Sequence, residues 1–535
     1  MSATYPDECR APPLKKQLDD TRKAKLKQVG HVKSAPGYDP VFFPRDVIEE
    51  VLSRDKVEFV LSCPCNWCEK DEGSIFRHFN CGKRIDYIDF VTNRALRLFA
   101  LLVYVGLPAL IVGFLRTADA ILDEDLDMER LKKTHLKGFE RINSVPLTAF
   151  TGLLDLFLIH RHEFSPPVLE GGWSEQWDPK KALPFINTRF VGKGGYGTVY
   201  SFQIYPGYEK FKFEVSTGFA MKEVGLPAQS GSMNAEAETL TKIREELGDE
   251  KHIIKVLKIF RRGDKLHFIF PLARGNLEKF MEEPWKHQPN TCDSICQNTI
   301  WDEAVGMLKA LAKFHRPPGM TSWRGYHADI KPTNILVFDD GTMVITDFGQ
   351  ALIAQKRSSE KTRRILQRPG EQAYRPPENS KESFMGPEYD DWAMGCVLLE
   401  ILVFAIKGPR GVWELKNARQ KTQYPTDYYY QVRDDQRFIH PEVEELLGGL
   451  ASEVASWSVD VKFTVAALEI VKSMLRINHK TRMDSGEAAS QLREKLNYWR
   501  NQANRGRRTS SNRSGPACPE TSWPPNADQR LSKQL

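Results

Sequence analysis

The stretch from His327 to Gly349 constrains this chain more than any other. It reads His327-Ala-Asp-Ile-Lys-Pro-Thr-Asn334-Ile-Leu-Val337, then a short Asp339-Asp340-Gly341 turn, then Val344-Ile-Thr-Asp347-Phe-Gly349. Two apolar, strand-like runs flank the turn, and Asp329, Lys331, Asn334 and Asp347 sit at their edges. Polar groups next to buried strands are costly unless they have partners. A carboxylate, an ammonium, an amide and a second carboxylate in this order therefore point to a site that handles charge rather than to a chance loop.

A second cluster lies upstream. Val191-Gly-Lys-Gly-Gly-Tyr-Gly-Thr-Val-Tyr200 contains Gly192, Gly194 and Gly197 in G-x-G-x-x-G spacing, followed by Val199. Glycines let a backbone close over phosphates without Cβ clashes. The same spacing opens dinucleotide folds, where a strand leads into a helix. Here Phe190-Val191 and Val199 to Ile204 are apolar and β-branched on both sides, which favours strand–loop–strand; a hairpin without a ligand remains an alternative at this stage. Phe219-Ala-Met-Lys222-Glu-Val224 then sets a lysine in an apolar strand, with Ala220 two residues before it. Phosphates and a helix carboxylate would explain it, and a solvated surface lysine is the competing reading. The carboxylate expected is Glu236, because Leu240 and Ile243 share its helical side; Glu238 is the less favoured choice.

Taken together, His327–Val337 and Asp347-Phe-Gly349 resemble the catalytic loop and Asp-Phe-Gly triplet of protein kinases, a signature whose parts and roles are general to that family. The resemblance covers about three-fifths of the chain, from about Phe185 to Leu496. It implies that Asp329 orients the substrate hydroxyl and accepts its proton, and that Lys331, as in the serine/threonine branch, balances charge on the transferring group. It implies that Asn334 and Asp347 hold Mg²⁺, which prefers oxygen ligands, and that Lys222 and the glycine-rich loop hold ATP. Leu266 to Leu277 is similar to the last small-lobe strand and hinge, with Phe270 as gatekeeper and Leu272 and Ala273 facing adenine. Tyr374-Arg-Pro-Pro-Glu378 resembles the end of the activation segment. Asp390 matches the residue that braces the catalytic loop, and Arg482 matches the arginine that pairs with Glu378.

Three positions depart from that pattern. Ala328 replaces an arginine that usually meets a phosphate on the activation segment, so phosphorylation between Gln350 and Gly370 is expected to act weakly through that route. Glu371 stands where a threonine is usual. Arg316 to Gly325 is an insertion before His327. The activation segment is also basic, with Lys356, Arg357, Lys361, Arg363, Arg364 and Arg368. An acidic partner is one reading and a solvated loop the other.

The rest of the 535-residue chain is less specific. Its net charge of +6 is mild for this length and demands no nucleic acid. Residues 1–36 are read as a disordered basic N-terminus. Residues 37–167 form a mainly helical region of unknown function, 168–184 a connector, 185–496 the kinase domain with a small lobe to about 271, and 497–535 a disordered basic tail. Leu98 to Leu115 is uncharged but short for a spanning helix and is interrupted by Gly106, Pro108 and Gly113, so two buried helical pieces are expected rather than a membrane span. No signal peptide opens the chain, and nine cysteines suit a reduced intracellular setting, cytoplasmic or nuclear. Among them Cys63, Cys65, Cys68 and Cys81 are spaced compatibly with zinc, with His78 nearby; reduced thiols are the alternative.

The expected fold is therefore α+β: a two-lobed protein kinase with a mainly helical N-terminal region and disordered termini. The expected function is ATP-dependent phosphorylation of serine or threonine hydroxyls on protein substrates. The competing class is a pseudokinase or nucleotide-binding scaffold acting through its N-terminal region. That region in front of a divergent kinase also resembles kinase-like proteins of filamentous fungi.

Overall fold

The computed structural model describes residues 9–65, 84–106, 108–111, 122–126, 147–194, 197–211, 218–226, 235–282, 299–317, 319, 323–355, 372–378, 386–420, 427–453 and 458–509. The chain divides into two compact units, Met1–Ser230 with Val256–Leu272, and Gly231–Lys255 with Ala273–Leu535.

The first unit holds an N-terminal helical layer and a six-stranded sheet. Helices α1 (Ala11–Gln28), α2 (Arg45–Val51), α3 (Arg54–Leu61), α4 (Arg84–Arg94), α5 (Leu96–Val105) and α6 (Leu147–His160) make up the layer. The expectation of disorder through Pro36 is corrected here. Leu14 and Leu18, one turn apart, and Leu26, two turns on, are buried along α1, while Lys and Asp fill its other faces. That dense charge hides a narrow apolar stripe from a reading of composition.

The described part of the apolar run from Leu98, through residue 106 and from 108 to 111, is mostly buried in the core, as expected. Helix α5 ends at Gly106, which takes a left-handed conformation, and Pro108–Leu110 forms a 3-10 turn. Phe99, Leu101 and Leu102 are fully buried beside Phe43, Val47 and Phe164. Residues from 112 to 121 lie outside the described residues.

The sheet comprises β1 (Gly172–Trp177), β2 (Phe185–Gly194), β3 (Gly197–Ile204), β4 (Phe219–Gly225), β5 (Lys258–Arg262) and β6 (Lys265–Pro271), in the order β1-β5-β6-β4-β3-β2. All neighbours are antiparallel except β1 with β5. The expected connector therefore contributes an edge strand. Its anchor is Lys258, 1% exposed, whose Nζ reaches Glu175 at 2.8 Å and the Glu170 carbonyl at 3.3 Å. A buried ammonium needs such partners.

The second unit is mostly helical. It contains α7 (Ala235–Leu247), which groups here rather than with the small-lobe strands, and α8 (Leu277–Glu282), α9 (Ile300–His315), α10 (Pro387–Ala418), α11 (Pro441–Glu453), α12 (Ser458–Met474) and α13 (Ser485–Thr509). Its strands are short: β7 (Gly275–Asn276), β8 (Trp323–Tyr326), β9 (Ile335–Val337), β10 (Met343–Ile345), β11 (Leu352–Gln355), β12 (Tyr430–Arg433) and β13 (Gln436–Ile439). Helix α9 buries Ile300, Trp301, Ala304, Leu308 and Leu311 at helical spacing, with acidic residues in its first turn and basic ones in its last, the arrangement that suits the helix dipole. Helix α10 is apolar enough to span a membrane but is 72% buried across its apolar window; it is the unit's core helix, kinked at Gly408 before Pro409. Helix α13 continues past Leu496 to Thr509, so helix occupies the first part of the expected disordered tail. Arg493 and Arg500 on this helix bind Asp302 on α9 at 2.6 and 2.9 Å. Residues 510–535 lie outside the described residues.

Candidate active site

Strands β9 and β10 pair antiparallel, Ile335 with Ile345 and Val337 with Met343. The turn between them is closed by the Gly341 N–H on the Phe338 carbonyl at 3.0 Å, with Thr342 bound to Asp340. This hairpin carries the polar cluster on both ends of its strands. The Thr346 N–H donates to the Asn334 carbonyl at 2.9 Å, and the His327 ring contacts the Thr346 carbonyl at 2.9 Å. Asp329, Asn334 and Asp347 are thereby held on one scaffold.

The central contact is on Asp329. The Asn334 amide NH₂ donates to its carbonyl at 2.9 Å and to its Oδ2 at 2.8 Å, and Lys331 Nζ lies 3.1 Å from the same Oδ2. Among the described residues both side-chain contacts fall on Oδ2, which leaves Oδ1 as the oxygen able to accept a proton from a hydroxyl. The amide NH₂ of Asn334 is spent on Asp329, so its Oδ1 is the atom available to a cation. With the Asp347 carboxylate it makes the hard-oxygen set that Mg²⁺ requires. Ala328 and Asp347 have φ of 66° and 63°, a left-handed conformation that costs free energy in residues other than glycine and clusters at functional sites.

Asp390, fully buried near the start of α10, holds the loop from below. It accepts the N–H groups of His327 at 2.6 Å and Ala328 at 2.8 Å, and the His315 ring at 3.0 Å. Burial alone would depress the His315 pKa, but the hydrogen bond and charge of Asp390, with Asp391 and Glu388, raise it overall. Burial pushes the neighbouring Asp391 carboxyl up to about 6, against the opposing pull of His315 and Ser485. Phe348 packs edge-on against Phe314, ring centroids 5.4 Å apart, and against His327 at 4.7 Å. The expected pairing of Glu378 with Arg482 is a two-pronged ion pair at 2.6 and 2.8 Å, the strong geometry for a guanidinium and a carboxylate.

The insertion before His327 gains a structural role. Its last residues, Trp323 to Gly325, belong to β8, which pairs with β11 just after the Phe348–Gln350 turn. The Trp323 indole N–H donates to the Phe314 carbonyl at 2.8 Å. The basic residues from Lys356 to Arg368, and Glu371, lie outside the described residues.

In the first unit the glycine-rich segment is strand–loop–strand, with Gly194 opposite Gly197 and Gly192 opposite Val199; no helix follows, which removes the dinucleotide reading. A Cβ on Gly192 or Gly194 would meet nothing within 4 Å, whereas one on Gly197 (φ +147°) would sit 2.3 Å from the Glu223 carbonyl oxygen. The loop is thus open to a ligand at two glycines and pressed on β4 at the third. Register pairs Val199 with Lys222 and Ala220 with Phe270. Residues opposite each other, or two apart, share a sheet face, so Val199, Ala220, Lys222 and Phe270 lie together on one side. The Leu272 N–H is fixed by the Gly218 carbonyl at 3.1 Å, and Ala273, the first residue assigned to the second unit, is half-buried. Val199, Ala220, Lys222, Phe270 and Leu272, all in the first unit, fit a nucleotide. Glu236 sits in α7, 4% exposed, while Glu238 is exposed; α7 packs on the Phe348–Gln350 turn.

Sequence comparison meets this geometry at the same residues. A family model described as the protein kinase domain matches residues 185–494, more than half of the chain. The chain belongs to the protein kinase family. This kinase is 28% identical to the human serine/threonine-protein kinase Nek10 over 39% of its own length and 17% of the relative's. It is 27% identical to the cyclin-dependent kinase D-1 of Oryza sativa subsp. japonica over 41% and 46%, and 28% identical to a receptor-like protein kinase of Ipomoea nil over 42% and 18%. The matched regions span less than half the length of these relatives.

Two features of the kinase had only a weak signal in its sequence. Tyr38, from the segment between α1 and α2, hydrogen-bonds Glu223 on β4 and packs at a tilt against Tyr200, centroids 4.8 Å apart. His267 and Lys265 complete the shell of Glu223 at 3.0 and 3.1 Å. Burial opposes ionisation of Glu223, but these donors win and hold its carboxyl down at about 2. The acid next to Lys222 hinted at a second charged face on the strand and nothing more. The other feature is Cys9, which joins Cys63 and Cys65; Cys68 and Cys81 lie outside the described residues.

Proposed function

We propose that this protein kinase is catalytically active and transfers a phosphoryl group to serine or threonine hydroxyls of protein substrates. The observation that carries the reading is the Asp329–Asn334–Lys331 cluster, in which one carboxylate oxygen is occupied by a donor and an ammonium while the other is left for a hydroxyl. When bound, Mg-ATP supplies the electrophilic γ-phosphoryl group and part of the charge neutralisation. Asp329 Oδ1 orients the substrate hydroxyl and takes its proton. Lys331, already within reach of Asp329, offsets negative charge as it gathers on the transferring oxygens. Asn334 and Asp347 would hold the metal, Lys222 the α- and β-phosphates, and the Gly192–Gly197 hairpin would cover them with backbone N–H groups. Phe270, Leu272 and Ala273 would border the adenine. Most of the rate enhancement is then positioning and fixed charge. The serine/threonine preference is supported by Lys331 and by the distant relatives named above.

The test is phosphate transfer from Mg-ATP to generic protein substrates by the full chain, beside Asp347→Ala and Asp329→Asn. Both variants should lose about 100-fold or more in kcat, with nucleotide affinity falling in Asp347→Ala and little changed in Asp329→Asn. Equal transfer by the wild type and both variants would overturn the proposal. Nucleotide binding without transfer in the wild type would favour the scaffold reading instead.

A further inference from the structure

Cys9 precedes the first turn of α1, and Cys63 and Cys65 follow the last turn of α3. More than fifty residues separate them in sequence, yet their three Sγ atoms lie within 4.8 Å of one another, and the residues are only 7%, 5% and 1% exposed. We propose that Cys9, Cys63 and Cys65 bind one zinc ion as thiolates, a structural site that fastens the start of α1 to the end of α3.

The geometry suits the ion. Zinc–thiolate bonds of about 2.3 Å in a tetrahedron set neighbouring sulfurs about 3.8 Å apart, inside the spacing found. Cysteine is often buried as a small apolar residue, but burial alone gives no reason for three to converge. The convergence is built independently of any metal by Arg10. Its Nη1 donates to the Phe59 carbonyl at 2.8 Å and to the Ser62 carbonyl and hydroxyl at 3.1 Å each, and its guanidinium lies 4.2 Å from the Phe59 ring centroid. This clamp delivers Cys9 to the Cys63-Pro-Cys65 corner. On binding, each thiol releases its proton to solvent as its sulfur bonds to zinc, so no oxidant or reductant is needed. The structure supplies three of four positions, and the fourth is left unassigned.

This differs from the set suggested by spacing alone, which omits Cys9, and the difference is what the experiment reads. The full-length protein, purified under reducing conditions without chelator, should carry about one zinc per chain by elemental analysis. Exchange for Co²⁺ should produce thiolate-to-cobalt charge-transfer absorption. Cys9→Ser should lose most of the bound zinc and that absorption, and Cys63→Ser should do the same. Zinc retained at the wild-type level in Cys9→Ser would overturn the assignment. So would a wild-type chain that neither carries zinc nor develops the cobalt band when titrated. The wild-type titration keeps the test decisive even where a serine variant fails to fold, and a pair of these cysteines found as a disulfide by alkylation before and after reduction would also defeat it.

Discussion

Gly192 and Gly197 belong to one motif but do different physical work. A methyl group on Gly197 would overlap the Glu223 carbonyl, and its φ of +147° is poorly open to other residues. Gly197→Ala should therefore destabilise the first unit by about 1–3 kcal/mol and weaken nucleotide binding. Gly192→Ala, with open space around it, should leave stability within about 0.5 kcal/mol. Chemical denaturation of the two variants separates these outcomes, and equal losses would contradict the distinction. His315 yields a second residue-scale prediction. Its partners Asp390 and Asp391, with Glu388 close by, raise its pKa in the folded protein despite its burial. Its contribution is fully present below the unfolded value near 6.5 and is lost as pH rises through the higher folded value. Wild-type unfolding free energy should therefore fall as pH rises above 6.5, by no more than about 1.4 kcal/mol per pH unit for one proton. His315→Gln, which cannot titrate, should flatten that slope. Parallel wild-type and variant profiles would exclude His315 as the source.

At the scale of elements, the segment between α1 and α2 acts as a strap across the sheet. Its Ala35 N–H donates to the Thr188 carbonyl at 2.7 Å, its Val32 N–H to Asn187 Oδ1 at 3.0 Å, and Tyr38 reaches Glu223. Tyr38→Phe keeps the ring on Tyr200 but removes one donor from a buried carboxylate, a loss of about 2 kcal/mol. Glu223 is held low, so its contribution is present above pH 4.5 and lost as pH falls toward about 2. The variant should therefore differ from wild type near neutral pH and converge with it in acid. Hydrogen exchange should also quicken in β3 and β4; unchanged exchange and stability would refute the strap. The strap and α1 leave little trace in the sequence for a physical reason. Three leucines spaced along a helix crowded with Lys and Asp give a weak apolar signal, and a single tyrosine finds its carboxylate only through tertiary packing. The loop from His327 to Asn334 was legible as part of a protein kinase domain because its residue types and spacing lie in one short stretch of the chain, inside the region that the family model matches. Glu236 was legible for a mixed reason, since its helical side could be read from Leu240 and Ile243 while its burial could not.

At the scale of the whole molecule, the family-matched region and the folded units do not share a boundary. The match begins at Phe185, but the first unit runs continuously through the N-terminal helices into the sheet. A fragment cut at Phe185 would strip β1 from β5 and leave Lys258, buried with Glu175 at 2.8 Å, without its carboxylate. It would also uncover Tyr205 and Tyr208, which pack on Phe42 at ring separations of 5.6 and 6.1 Å, and Tyr205 would lose the Asp46 carboxylate its hydroxyl binds at 3.1 Å. Loss of the buried Phe42 surface alone costs about 2 kcal/mol, and an unpaired buried lysine about 3 kcal/mol. These are large fractions of the roughly 5–15 kcal/mol that hold a domain folded. Fragments 9–509, 168–509 and 185–509 should therefore melt in that descending order. The second regains β1 without Phe42, and the third has neither and should be the least soluble. Identical melting of the shortest and longest fragments would mean that the N-terminal layer rests on the sheet without stabilising it. The expected ordering instead makes that layer part of the kinase's own fold.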